Sequence, residues 1–471
     1  MESILERVFK LRSRGTTLRN EVTGGITTFM TMAYVLFVNA GLLGSVTDRL
    51  GNKLPFAQVL TVTALSAAIA TAAMGLYANH PFALAAGMGL NAVVAFQLVA
   101  VQGLTWPEAM GVVVVEGVAI TVLVLTGFRE AVMHAIPLAL KQAIGVGIGL
   151  FIAFIGFVTS GFVGKPAAPE LRVELGKGGE IIGAPMGVFV VGLFLTGYLV
   201  ARRVRGALLI GILVSTVLAI VVNEIMGGKA WGADSAVARI PLQLVAVPTS
   251  ENFSLVGAFS FDFFRTMGVL GACLAVFTIM LGDFFDTMGT VIGLGTRAGF
   301  LDEEGRLPRA NRVLLVDSLA AVLGGAFSAS SNTTYIESAS GIEEGGRTGL
   351  TSVVTALLFL LSIFLWPMAD VVPSQATGPA LVVVGFLMMP MVRSIPWDDG
   401  DVAFPAFLTM VMMPFTYSIT NGIGAGFVAF TVIKLLRGKV REVHPMMAAS
   451  AVAFVLYFGM HYVRIAVGLA A

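Results

Sequence analysis

Thirteen stretches of this chain stay mostly apolar for about 20 residues each, the length needed to cross the hydrocarbon of a bilayer. They cover residues 22–46, 56–78, 85–102, 106–127, 136–158, 181–201, 206–222, 266–292, 312–328, 348–369, 374–393, 402–418 and 421–437. So many such runs rule out one water-excluding core and predict a bundle of membrane helices. Composition agrees: 57% of the 471 residues are hydrophobic and 12% charged, against about 25% charged in a soluble domain. A soluble enzyme, a nucleic-acid binder and a disordered chain are all excluded on that balance. A net charge of +1 gives no field that would draw in a polyanion.

A polar segment, 330–346, escapes a hydropathy reading, but the basic residues argue that it crosses. Cytoplasmic flanks collect Lys and Arg. The arm carrying Arg7, Lys10, Arg12, Arg14 and Arg19 is therefore placed inside. Alternation then puts Arg202, Arg203 and Arg205 inside too. Arg297, Arg306, Arg309 and Arg312 join them, as do Arg437, Lys439 and Arg441, provided 330–346 counts as a pass. The expectation is thus about 14 spans, multi-pass in the cell (inner) membrane, with a cytoplasmic N-terminus. Residues 446–463 form a further apolar stretch that either spans or lies at the interface. The first 20 residues have no uninterrupted apolar run and predict an interfacial arm, not a signal peptide.

The spans fall into two echoing sets of seven. HPFALAAGMGLNA (80–92) and SSNTTYIESASG (330–341) are both short, polar and rich in small residues, and each holds third place in its set. An odd number of spans per set requires the two to be inverted. Paired interrupted segments point to a midplane site, because unwound backbone is tolerated there only around a protein-lined cavity. The predicted organisation is a cytoplasmic arm (1–20), a first repeat (21–224), an extracytoplasmic loop (225–265), a second repeat (266–437) and a tail (438–471).

Carboxylates at membrane depth are costly and mark function by default. Asp283 and Asp286 lie three apart in LGDFFDTMGT and share one helix face. Two such groups in a low dielectric repel, which suits a site that handles protons. Glu337 sits within the second broken segment, where it can accept hydrogen bonds from a planar ligand's ring N–H groups. Asn91, its counterpart in the first, can donate and accept at once. The alternatives are a structural pair, a helix cap and a helix-packing amide respectively. Glu116, alone in VVVVEGVAI, reads equally as a proton relay or as an interhelical hydrogen bond. Asp317 is expected to pair with Arg312 near the cytoplasmic edge. His80, His134, His444 and His461 lack metal-ligand spacing, so no metal is expected. Cys273 is read as a packing residue, and a lone cysteine leaves no internal disulfide.

GDFFDTMGTVIG, TTYIESASGIEEGGRTGLTSVV and ALAAGMGLNA resemble the AzgA-like branch of the nucleobase–cation symporters, purine permeases within the wider nucleobase–ascorbate transporter family. The likeness runs from TGGITTFMTMAYVLFVNA to GKVREVHP. It implies an all-α polytopic protein with a 7+7 inverted repeat, a core domain (spans 1–4 and 8–11) and a gate domain (spans 5–7 and 12–14). Spans 3 and 10 would each hold a short strand. It also implies that Asp283 and Glu337 bind the purine (hypoxanthine, guanine or adenine), with Asn91 lining the pocket and Asp286 in support. The uracil-type branch has a histidine four residues after its span-eight acid; here that position is Thr287. The coupling residue is therefore left open among Asp286, Glu337 and Glu116.

The expectation is a secondary transporter, not an enzyme, importing purines by symport with H⁺ and using no cofactor. Membrane lipid surrounds it, nucleic acid is no partner, and oligomeric state is open, a homodimer included. Two rival readings stand against it. An anion carrier of related 7+7 architecture would want basic residues around the site, where acids stand instead. An intramembrane Mg-dependent prenyltransferase would use Asp283 and Asp286 with Asp398, Asp399 and Asp401, but those two groups are far apart in span order.

Overall fold

A computed structural model describes residues 2–126, 136–166, 173–232, 237–241, 243–300, 307 and 309–459. His134 and His461 lie outside the described residues, as does the end of the 446–463 stretch. In chain order the helices are α1 (Glu2–Phe9), α2 (Leu18–Met32), α3 (Tyr34–Gly44), α4 (Phe56–Ala73), α5 (Met88–Ala92), α6 (Trp106–Thr126) and α7 (Leu138–Thr159). Then come α8 (Ala184–Ala201), α9 (Ala207–Ile225), α10 (Phe263–Ala298), α11 (Ala310–Ala326), α12 (Ser338–Glu343) and α13 (Gly349–Ser362). The last are α14 (Ser374–Met388), α15 (Gly400–Phe415), α16 (Ile419–Leu436) and α17 (Pro445–Phe458). The strands are β1 (Leu84–Ala86), β2 (Val163–Gly164), β3 (Glu174–Leu175) and β4 (Asn332–Thr334).

Ten helical segments among the described residues are long and apolar enough to cross a membrane. Three further apolar helices are shorter: Met88–Val101, Gly400–Phe415 and Pro445–Phe458. The chain is thus a helical, multi-pass membrane protein. Two predicted spans are instead strand–helix units. The third begins as β1 and continues through α5 into π-helical turns to Val101; the tenth begins as β4 and continues as α12. Span eight is one helix in α10 apart from a break at Gly268, whose φ of 72° suits a residue without a β-carbon.

β1 and β4 pair antiparallel, with Leu84 opposite Thr334, Ala85 opposite Thr333 and Ala86 opposite Asn332. All six residues are buried, so their polar backbone groups must be satisfied internally. Beyond the ladder, Gly87 N–H donates to the Ser331 carbonyl (2.8 Å) and Tyr335 N–H to the Ala83 carbonyl (2.9 Å). The Thr71 hydroxyl accepts from Leu84 N–H and donates to its carbonyl, both at 2.9 Å. Ser338 accepts from Ala83 N–H at 3.0 Å. The two broken segments are therefore locked together although about 250 residues separate them.

Glycine lets the helices behind this crossing pack close. A β-carbon on Gly117 of α6 would stand 2.5 Å from Val322 N on α11, and one on Gly325 of α11 would stand 2.8 Å from Val114 N on α6. Neither approach tolerates a side chain. At the other end, Asp401 at the start of α15 is buried and receives Lys434 (3.2 Å), Lys439 (2.8 Å) and Arg437. Lys434 also pairs with Glu442 at 2.6 Å. This network clamps α15 to α16 and the turn after it.

Candidate functional site

A cavity of about 330 Å³ opens beside the crossed strands, at the small end of the usual range for ligand pockets. Its two walls differ in chemistry. One is built by α3, the β1–α5 junction, α10 and the β4–α12 junction. It presents Tyr34, Asp286, Thr290, Thr334, Tyr335 and Glu337, together with the backbone of Gly87 to Leu90. The other is built by α7, α14 and the turn after α14. It presents Ile144, Ile148, Ile152, Val384, Leu387, Met388 and Met391, together with the charged side chain of Lys141.

Glu337 is half-buried and closes the short connection between β4 and α12. Tyr34 Oη donates to Glu337 Oε1 at 2.8 Å, which orients the carboxylate and leaves Oε2 for a ligand. Asp286 is exposed, and the space it faces is the cavity. The site therefore offers two hydrogen-bond acceptors on one side and an apolar plate on the other. That suits a flat molecule with N–H groups on its edge and apolar faces.

The remaining expected residues lie elsewhere. Asp283, expected in the pocket, does not line it: it is fully buried one turn away, close to Glu116. The Ser331 hydroxyl stands 3.4 Å from Glu116 Oε2 and 3.5 Å from Asp283 Oδ2. Asn91 is likewise fully buried and absent from the cavity lining; neither end of its amide has a hydrogen-bond partner among the described residues. The cause is helix rotation. Three residues along a helix turn a side chain by about 300°, enough to put Asp286 in the cavity and Asp283 against α6.

Asp317 also departs from expectation. It is buried, and its carboxylate accepts from Thr334 N–H (2.9 Å), the Thr334 hydroxyl (2.6 Å) and the Thr287 hydroxyl (2.7 Å). Arg312 lies over the Tyr77 ring. Asp317 thus holds β4 in register instead of pairing with Arg312, and Thr287 is part of that scaffold, 2.9 Å from the Thr333 hydroxyl. The acids of the 398–401 loop are occupied as well. Asp399 caps α15 and Asp401 holds three cations, so they do not join Asp283 and Asp286 in a diphosphate site. Among the described residues no group of three His, Cys, Asp or Glu could hold a metal.

Tyr34 and Lys141 do not stand out in the sequence. Tyr34 reads as an apolar filler in MAYVLF, and Lys141 as a flank of its span; both carry signals only in retrospect, as polar groups within apolar runs.

A family model described as Permease family (Xan_ur_permease) matches residues 19–425. The chain belongs to this permease family. It is 39% identical to the guanine/hypoxanthine permease PbuG of Bacillus subtilis, over 96% of this chain and 99% of that one. It is 38% identical to the adenine permease AdeP of Escherichia coli, over 97% of this chain and 96% of that one. Among solved structures it resembles the transmembrane domain of the cyanobacterial bicarbonate transporter BicA (TM-score 0.58, 14% identity, covering 86% of this chain and 97% of that one). Murine Slc26a9, an anion transporter in the inward-facing state, gives a TM-score of 0.60 at 11% identity, covering 93% of this chain and 72% of that one. At such identities these two likenesses speak for the fold alone.

Proposed function

We propose that this permease carries purine nucleobases across the membrane by symport with protons. The observation that carries the reading is the two-sided cavity: Asp286 and Glu337 face an apolar wall across a space suited to a small planar ring. A purine has N–H donors on its edges and apolar faces. The carboxylates receive the former, while Ile148, Met388 and their neighbours cover the latter. The relatives that transport guanine, hypoxanthine or adenine support that class of cargo. Acids, and not a basic cluster, around the cavity weigh against an anion as cargo despite the fold of the solved neighbours.

In this reading Asp286 and Glu337 contact the base and Tyr34 positions Glu337. Spans 1–4 and 8–11 form a core that moves against a gate of spans 5–7 and 12–14, with the cavity at their seam. Gly89 lies close enough to Ile148 that a β-carbon there would stand 2.6 Å from it, so the third and fifth spans touch across that seam. A crosslink between them should arrest transport and leave binding measurable. The functional test is uptake of labelled hypoxanthine, guanine and adenine in a host lacking its own purine import, with and without a protonophore. Accumulation that collapses with the proton gradient is expected. Failure to accumulate any purine would overturn the reading, and uptake that follows sodium instead would overturn its coupling half.

A further inference from the structure

Glu116 and Asp283 are two buried acids that the cavity does not use. They come from different helices, α6 and α10, and both are fully enclosed. The Ser331 hydroxyl reaches both carboxyls, at 3.4 and 3.5 Å. Their other oxygens, Glu116 Oε1 and Asp283 Oδ1, are buried with no hydrogen-bond partner, and neither carboxyl has an ion pair among the described residues. One hydroxyl supplies one proton, so it satisfies one carboxylate at a time. Two enclosed carboxylates without a cation would each carry an uncompensated desolvation cost. The arrangement lacks one positive charge, and the two unpartnered oxygens mark where it goes.

We infer that the Glu116–Asp283 pair is the binding site for the coupling proton, separate from the purine cavity and one layer behind it. This rests on the reading of the chain as a purine–proton symporter and adds the residues that carry the ion. In each cycle one O–H bond forms when a proton enters from the outer side, and the same bond breaks when it leaves on the inner side. The pair returns to its starting charge. A proton needs only one free carboxylate oxygen, whereas these two carboxyls and one hydroxyl make a sparse shell for a metal cation.

The link to the cargo is β4. Ser331, the residue just before the strand, touches the pair through its side chain and receives the Gly87 N–H through its carbonyl; Gly87 lines the cavity. At the far end of the strand Thr334 lines the cavity and Glu337 follows three residues on. The other carboxyls facing the pair are Asp317 on α11 and Asp286 along α10. Asp317 is engaged by Thr287 and Thr334, and Asp286 faces the cavity.

The test is labelled hypoxanthine transport by full-length protein in liposomes, with imposed pH or sodium gradients, for wild type, Glu116→Gln, Asp283→Asn and Ser331→Ala. Thermal unfolding and hypoxanthine binding check that each variant is folded. Glu116→Gln and Asp283→Asn should bind hypoxanthine within about threefold of wild type and exchange it across the membrane. They should lose the accumulation driven by a pH gradient. Ser331→Ala, which keeps both acids, should shift the pH at which uptake is half-maximal. Wild-type accumulation by both acid variants would overturn the inference, and so would loss of binding in folded Asp283→Asn. Accumulation that a sodium gradient drives in wild type and not in the variants would overturn the proton as the ion. If wild type itself moves no purine, the transport reading fails instead.

Discussion

Asp283 and Asp286 occupy the same helix three residues apart, with the same side chain, yet their surroundings have little in common. Asp286 faces a cavity, with Tyr34, Thr290 and Glu337 on the same wall. Asp283 is enclosed against Glu116 and Ser331 and touches no open space. The difference teaches that spacing assigns two groups to one broad helix face but does not say which packing layer each enters. Rotation of the helix against α6 and the crossed strands decides that.

The sharpest way to break the comparison is to remove each acid's charge in place. In the cavity, Asp286→Asn and Glu337→Gln exchange an acceptor oxygen for a donor that meets the purine's own N–H. At about 1–3 kcal/mol for each hydrogen bond left unmade, hypoxanthine affinity should fall roughly five- to 150-fold. Equilibrium binding to the purified variants measures it. Tyr34→Phe comes next. Losing the 2.8 Å hydrogen bond that orients Glu337 should weaken binding about tenfold and leave the unfolding temperature nearly unchanged. Asp317→Ala should act mainly on the scaffold. It strands the buried Thr334 N–H, costs about 1–3 kcal/mol of stability, and should lower thermal unfolding more than purine affinity.

The smallest effect on affinity is expected far from the cavity. Asp401→Asn weakens a clamp of three cations, one of them the buried Lys434, so stability should drop while hypoxanthine affinity stays within about twofold. A large loss of affinity there would show that the cavity's geometry depends on the α15–α16 clamp.

Much of this was legible in the sequence. The apolar run 106–127 appears as α6 at Trp106–Thr126, and 56–78 as α4 with its π-helical extension to Ala78. The polarity of HPFALAAGMGLNA and SSNTTYIESASG marked where regular membrane helices would fail, and the strands lie there. Glu337 stands out because a carboxylate at that depth is expensive. What hydropathy could not carry is pairing at long range and rotation about a helix axis. Asp317 sits five residues after Arg312 and reads as its ion-pair partner, until the fold brings Thr287 and Thr334 to it. Asn91 sits beside the lining residues Met88 to Leu90, yet turns into the packed interior. Tyr34 acquires its role only once Glu337, 303 residues away, is placed against it.

The central claim is that a purine sits between the acidic and apolar walls of this cavity. Equilibrium binding of labelled hypoxanthine to purified protein, compared between wild type and Asp286→Asn, tests it most directly. Saturable binding that adenine or guanine competes for, and that weakens at least fivefold in Asp286→Asn, is the predicted result. Undiminished binding by Asp286→Asn, with Glu337→Gln equally unaffected, would place the purine elsewhere and contradict the account.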